Sequence, residues 1–300
     1  MSKLHSLRDA IKEYLTNGDV VYAAGFTHLI PFAAGHEIIR QGKKKLTLAR
    51  ATPDLIYDQM VAAGCARKVI FSYMGNPGVG SLRIVRTAIE HGDLEWEEYS
   101  HFGMITRLQA GASGLPFLPM KQTGAYDLEK ANPLIKRVSD PYSGEDLIAV
   151  PALNPDVAIV HVQRADANGN AHLWGIVGEQ KEVAFASKKV ILTAEEIVDE
   201  EIIRSDPNRT LIPGFIVKAV CQVPHAAHPS YAQGYYDRDN EFYIKWDKIS
   251  ESPEQVKQYL DEWVYAIKDR EAYWEKLGAA VHSRLKIESR LSSPVDYGKY

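Results

Sequence analysis

Asp19-Val20-Val21-Tyr22-Ala23-Ala24-Gly25, continuing through Phe26-Thr27-His28 to Pro31 and on to Gln41, is the stretch on which the fold turns. The apolar run after Asp19 lacks polar alternation, as suits a short strand buried on both faces. Gly25 stops it, and residues 31–41 resume a helical period, so strand, glycine turn and helix follow in order. Upstream, Ser6 and Asp9 form a capping box. Leu7, Ala10, Ile11, Tyr14 and Leu15 then share one helical face until Asn17-Gly18 ends the helix. Downstream the alternation repeats, with strands predicted at 46–51 and 68–73 and helices at 53–63 and 81–91. Apolar strands separated by helices imply an α/β fold, a three-layer α/β/α arrangement around a mostly parallel open sheet.

Residues 124–145 are polar and proline-bearing, which predicts a small surface excursion or small subdomain near 120–146 before strands return at 157–162 and 190–193. Ser252-Pro253 then opens a long helix, expected over about 253–278 and ended by Gly278, with Val256, Tyr259, Leu260, Trp263, Val264 and Ile267 as a wide apolar stripe. Such a stripe must be covered by the chain's own sheet or by a second subunit. The tail, 291–300, has no periodicity and is expected to lie loosely. No internal repeat is evident, and the 300 residues are expected to form one unit.

The formal charge of −4 and a single short basic run, Lys43-Lys44-Lys45, do not suit a nucleic-acid partner. No apolar run approaches the length of a membrane span, and Met1-Ser2-Lys3-Leu4-His5 lacks the apolar core of a secretory signal, so a soluble cytoplasmic protein is expected. Cys65 and Cys221 lie far apart and form no CxxC pattern, which predicts buried free thiols.

Several constellations could carry chemistry. Gly25 to His28 falls at the carboxyl edge of a buried strand, where open parallel sheets bind ligands, although a plain tight turn reads equally well. No G-x-G-x-x-G follows, which argues against a nicotinamide site. Gly75-Asn76-Pro77-Gly78-Val79-Gly80 matches neither the dinucleotide fingerprint nor the P-loop, and Asn76 within it is a further substrate-binding candidate. Ser113 lacks the second glycine of a nucleophile elbow, so packing through small residues is the better reading. His225 and His228 are spaced like metal ligands but have no second pair, and no metal is expected there. Glu195-Glu196 and Asp199-Glu200-Glu201 read as solvated acidic faces.

Glu97-Glu98-Tyr99-Ser100-His101-Phe102-Gly103 runs into Ala110-Gly111-Ala112-Ser113-Gly114-Leu115-Pro116-Phe117-Leu118-Pro119. It places His101, supported by Ser100, where a strand gives way to a glycine-rich helix. There an imidazole can donate to a carboxylate or a thioester oxygen, or sit as a satisfied core histidine.

Together these segments resemble the α subunit of family I CoA transferases, most closely that of glutaconate CoA-transferase and its relatives. The matches are Ala24-Gly25-Phe26-Thr27, Pro31-Phe32-Ala33-Ala34 leading to Glu37-Ile38-Ile39-Arg40-Gln41-Gly42, Glu98-Tyr99-Ser100 and Gly114-Leu115-Pro116-Phe117-Leu118-Pro119. They continue through Asp166 with Gly169-Asn170, Trp174-Gly175, Ile212-Pro213-Gly214 and Ala227-His228-Pro229-Ser230.

The resemblance implies a fold of the CoA-transferase or NagB/RpiA-like kind and a CoA transferase that is active only with a β subunit, in an (αβ)₂ or (αβ)₄ assembly. The nucleophilic glutamate belongs to β, and this chain has no Ser-Glu-Asn-Gly-like motif after a strand. No cofactor is held permanently, and coenzyme A enters as acyl-CoA substrate. The residues implied are His101 and Ser100 for catalysis, and Gly25, Phe26, Thr27 and His28 around the acyl group, with Asn76 kept beside them as the candidate from its glycine-rich stretch.

Two departures stand out. His28-Leu29-Ile30 replaces polar and basic residues of the glutaconate enzyme, so a fixed cation for a second carboxylate is missing, and His28 is expected to read one carboxylate or to border a less polar acyl group. His101 stands where the glutaconate enzyme has glutamine and a steroid-ring-opening hydrolase has a catalytic glutamate, leaving its role as donor or base open. Relatives on this scaffold also hydrolyse or decarboxylate acyl-CoA compounds, which is the alternative activity. A small-molecule sensor module is disfavoured, because the first helix runs directly into the first strand.

Overall fold

The computed structural model describes residues 2–75, 80–121 and 126–287. Its first half alternates as the sequence predicts: α1 (Leu7–Tyr14), β1 (Val20–Ala23), α2 (Phe32–Arg40), β2 (Leu46–Ala49), α3 (Leu55–Ala62), β3 (Ala66–Phe71), α4 (Arg83–Glu90), β4 (Glu95–Glu98) and α5 (His101–Ala112). There follow β5 (Phe117–Met120), α6 (Tyr126–Ala131), β6 (Lys136–Ser139), β7 (Asp146–Pro151), β8 (Val157–Ala165), β9 (Ala171–His172), α7 (Gln180–Ala186) and β10 (Lys189–Ile197). The chain continues through α8 (Glu200–Ser205), β11 (Thr210–Ile212), β12 (Val217–Gln222), α9 (Asn240–Ile249), α10 (Pro253–Leu260), α11 (Arg270–Leu277) and α12 (Ala279–Arg284).

Seven strands pair in parallel, with β8 between β1 and β10, β12 beyond β10, and β2, β3 and β4 following β1 in order. The short β9 pairs antiparallel with both β8 and β11, completing a nine-stranded sheet. Alternate side chains feed separate cores on the two faces. Val21, Ile159 and Ile191 pack with α1, α2 and α3, whereas Tyr22, Ala158, Val160 and Leu192 pack with α5 and α7. Helices on both faces make this the expected α/β/α sandwich, and all nine residues of β8 are buried at its centre.

The structure decides two alternatives that the sequence leaves open and departs from the sequence reading in one element, the C-terminal helix. The excursion is a small subdomain: β5, β7 and β6 form an antiparallel sheet whose Met120, Ile148 and Val150 join the second core. The long C-terminal helix is broken, with α10 ending at Leu260, a π turn over Asp261–Tyr265, and α11 starting afresh at Arg270. Asp269 causes the restart, because its carboxylate accepts the N–H of Ala272 at 2.9 Å and holds its own backbone extended as an N-cap. The stripe is covered by the chain itself, with Val256, Tyr259, Leu260 and Val264 entering the first core. The predicted tail, 291–300, lies outside the described residues.

Candidate active site at the carboxyl edge of the sheet

Four consecutive parallel strands deliver their carboxyl ends to one place. Gly25 to His28 follow β1, Thr52 to Asp54 follow β2, Ser72 and Tyr73 follow β3, and Ser100 and His101 follow β4. Between them lies a cleft of about 270 Å³ lined by Phe26, Thr27, Thr52, Asp54, Tyr73, Gly75 and His101. Parallel strands open their loops on the same edge, so residues distant in sequence converge without further design.

The turn after β1 is a tight knot. Gly25 has φ +122°, and a Cβ there would lie 2.7 Å from the His28 carbonyl oxygen and 2.8 Å from that of Leu29. Thr27 and Leu29 also have positive φ, 54° and 55°. Arg50, buried beneath the knot, holds it: its guanidinium donates to the carbonyls of Ala23 (2.9 Å), Thr52 (2.7 Å) and Gly25. A buried cation is tolerable when its donors are met in this way. Because the Gly25 carbonyl is drawn onto Arg50, the planar trans peptide turns the Phe26 N–H to the opposite side. Ser230 Oγ donates to the Thr27 carbonyl at 2.7 Å and clamps the far side.

His28 does not face the cleft as a recognition group. It is wholly buried, its Nδ1–H donates to the Ile176 carbonyl at 3.0 Å, and its Nε2 accepts the Gln233 N–H at 3.0 Å. Burial pushes its pKa down to about 4, so the ring is neutral. With both nitrogens engaged it cannot read a carboxylate; it pins the knot to two distant loops.

His101 is the first residue of α5, and its exposed ring lines the cleft. Nδ1 lies 2.9 Å from Ser72 Oγ, and Phe26 approaches the ring edge-on at 6.0 Å between centroids. Ser100 supports it through the backbone: its Oγ accepts the Gly103 N–H at 3.0 Å and caps α5, fixing where His101 begins. Asn76 lies outside the described residues.

Thr52, Asp54 and Tyr73 line the cleft and Ser72 touches His101 beside it, and the sequence reading singles out none of them. Asp54 caps α3, its Oδ1 accepting from Leu55 N–H at 2.7 Å and from Tyr243 O–H at 3.0 Å. Burial raises its pKa, and the nearby Arg50 charge opposes the rise. Asp54 and Ser72 are each a single small polar residue just past an apolar strand, and only their common position after successive strands could have flagged them.

The remaining candidates have structural roles. His228 sits between Asp239 Oδ2 (3.1 Å) and the Tyr273 hydroxyl (3.0 Å), and His225 stacks on Trp274 at 3.8 Å. No cluster of metal-ligating residues occurs among the described residues. Glu195 is not part of a solvated face, because β10 extends to Ile197 and buries it. It accepts hydrogen bonds from His161 Nε2, the Tyr236 hydroxyl and His225 N–H, each at 2.7 Å. Burial alone would raise its pKa, but these donors outweigh it and leave the carboxyl below its ordinary range. Glu196 pairs with Arg164 at 3.0 Å. Beside Ser113, a Cβ on Gly111 would come within 2.5 Å of the Leu153 carbonyl oxygen, so small residues serve close packing there. Cys65 and Cys221 are buried free thiols.

The coenzyme A transferase family model matches residues 4–222. The A-subunit of a 3-oxoadipate CoA-transferase from Pseudomonas knackmussii is 49% identical over 280 residues, covering 92% of this chain and 99% of the relative. The A-subunit of glutaconate CoA-transferase from Acidaminococcus fermentans is 37% identical over 317 residues, covering 100% of this chain and 99% of the relative. The crystal structure of glutaconate coenzyme A-transferase from that organism superposes with a TM-score of 0.90 at 36% identity, over 96% of each chain. A cholesterol ring-cleaving hydrolase IpdA subunit from Rhodococcus jostii is 29% identical over 283 residues, 88% of this chain and 92% of the relative. A family model spanning most of the chain, and a relative nearly half identical along almost all of it, establish that this protein belongs to the coenzyme A transferase family.

Proposed function

We propose that this chain is the α subunit of a heteromeric CoA transferase that moves coenzyme A between an acyl-CoA and a carboxylic acid, in an (αβ)₂ or (αβ)₄ assembly. The observation that carries the reading is an incomplete site. Among the described residues lining the cleft the single carboxylate is Asp54, which is buried and occupied in capping α3. The attacking carboxylate therefore comes from a second chain, in keeping with relatives whose names make each of them one subunit of a transferase.

In the proposed reaction a glutamate of the β chain attacks the acyl-CoA carbonyl, forming a mixed anhydride and releasing CoA thiolate. The thiolate attacks the glutamyl carbonyl, expelling the first carboxylate and leaving a glutamyl-CoA thioester. The second carboxylate then reverses both steps. This chain holds the acyl group against that glutamate through the Gly25 knot, Phe26, Thr27 and His101, and keeps water from the anhydride. The relatives' names point to a short dicarboxylic or oxo acid as substrate. No Lys or Arg lines the described cleft, so this chain supplies no direct cation for a second carboxylate.

The likeness to a ring-cleaving hydrolase supports a second reading, water in place of the second carboxylate. Borohydride treatment of the co-expressed αβ complex after acyl-CoA addition separates the two. Transfer predicts a reduced glutamyl residue on the partner chain; product formation with no trapped species favours hydrolysis.

A further inference from the structure

We propose that Ser72 is a positioning residue that fixes the tautomer of His101, so that the neutral ring meets the cleft ligand through a lone pair on Nε2, as an acceptor, and not through an N–H. The part this plays in turnover rests on reading the cleft as the acyl site; the tautomer itself does not.

The argument is a proton count. Ser72 follows β3, and its Oγ has one hydrogen and two acceptor lone pairs. Two neighbours lie within hydrogen-bond reach: the Ala51 carbonyl oxygen at 2.5 Å and His101 Nδ1 at 2.9 Å. A carbonyl oxygen carries no hydrogen, and two oxygens 2.5 Å apart with no proton between them would repel strongly, since that separation is the short end of the O–H···O range. The Ser72 hydrogen is thus committed to Ala51. Backbone N–H groups of Ser72 (3.0 Å) and Tyr73 (3.2 Å) reach the same carbonyl, which anchors the loop carrying Ser72. Ser72 Oγ has only lone pairs left for His101, so Nδ1 must bear the hydrogen. A neutral imidazole has one N–H, and Nε2 is therefore unprotonated.

Nothing else overrides this assignment. Phe26 offers only a ring, and Nε2 has no hydrogen-bond partner among the described residues. Of the two roles the sequence leaves open for His101, donor or base, the neutral ring is thereby confined to accepting at Nε2. His101 suits a ligand group that still carries a proton, and it reaches an oxyanion only as imidazolium, with Nδ1–H still on Ser72.

Nitrogen-15 NMR of the full-length chain labelled at histidine tests this, alone and in the αβ complex, at about pH 9, where an ordinary imidazole is neutral. The His101→Gln spectrum identifies the resonances. The expected result is a pyrrole-like Nδ1 and a pyridine-like Nε2 for His101, retained in Ser72→Thr and lost or mixed in Ser72→Ala. A pyridine-like Nδ1 in the wild-type chain overturns the proposal with no variant needed. In the complex, Ser72→Ala should lower kcat by about tenfold or more, as loss of a histidine-orienting partner does elsewhere, with Ser72→Thr restoring it. An unchanged kcat in Ser72→Ala would remove Ser72 from turnover. If the tautomer is found but His101→Ala is fully active, it is the acyl-site reading that falls.

Discussion

Replacing Gly25 by Ala is expected to lower the unfolding free energy by about 3 kcal/mol, read as a fall in urea midpoint at constant m-value. Two terms add. The backbone at φ +122° is one that an L side chain rarely adopts, and the new methyl would meet the carbonyl oxygens of His28 and Leu29 at 2.7 and 2.8 Å. Neither oxygen can retreat cheaply, because the knot is gripped by Arg50, by Ser230 and by the buried His28 ring. Gly18→Ala is the internal control. Gly18 has φ +89° but no atom within 4 Å of its Cβ position, so it retains the backbone cost without the clash, about 1 kcal/mol. Equal losses for the two variants would show that the knot is not sterically closed.

His101→Ala should do the reverse, sparing stability and removing function. The side chain is exposed at the start of α5 and the Ser100 cap is untouched, so unfolding should change by no more than about 0.5 kcal/mol. In the assembled complex kcat/KM should fall by about tenfold to a hundredfold, the scale on which a single positioned hydrogen-bonding group contributes to turnover. Unchanged kinetics would take His101 out of the site.

The sheet was legible because its evidence is local. Apolar runs such as Val20 to Ala24 and the helices between them announce themselves within a dozen residues, and Gly25 marks where the first loop must bend. His28 was misread for the converse reason. Its ring chemistry suggests recognition, yet its partners Ile176 and Gln233 lie 148 and 205 positions away, and no local pattern reveals that they close on it. Glu195 shows the same limit: an acidic pair looks solvated until His161 and Tyr236 arrive from other elements. The C-terminal helix read as continuous because its apolar stripe runs on to Ile267, yet α10 ends at Leu260, a π turn follows, and the Asp269 cap starts α11 afresh. Within the cleft, His101 and the Gly25 knot were visible in the sequence, whereas Ser72 and Asp54 emerged only once β2 and β3 were laid side by side.

The central claim is that this chain carries half of a catalytic site. Its most direct test is CoA exchange between an acyl-CoA and a free carboxylic acid, assayed with the purified 300-residue chain alone and with its partner co-expressed. The account predicts exchange only when both chains are present; sustained exchange by the isolated chain would contradict it.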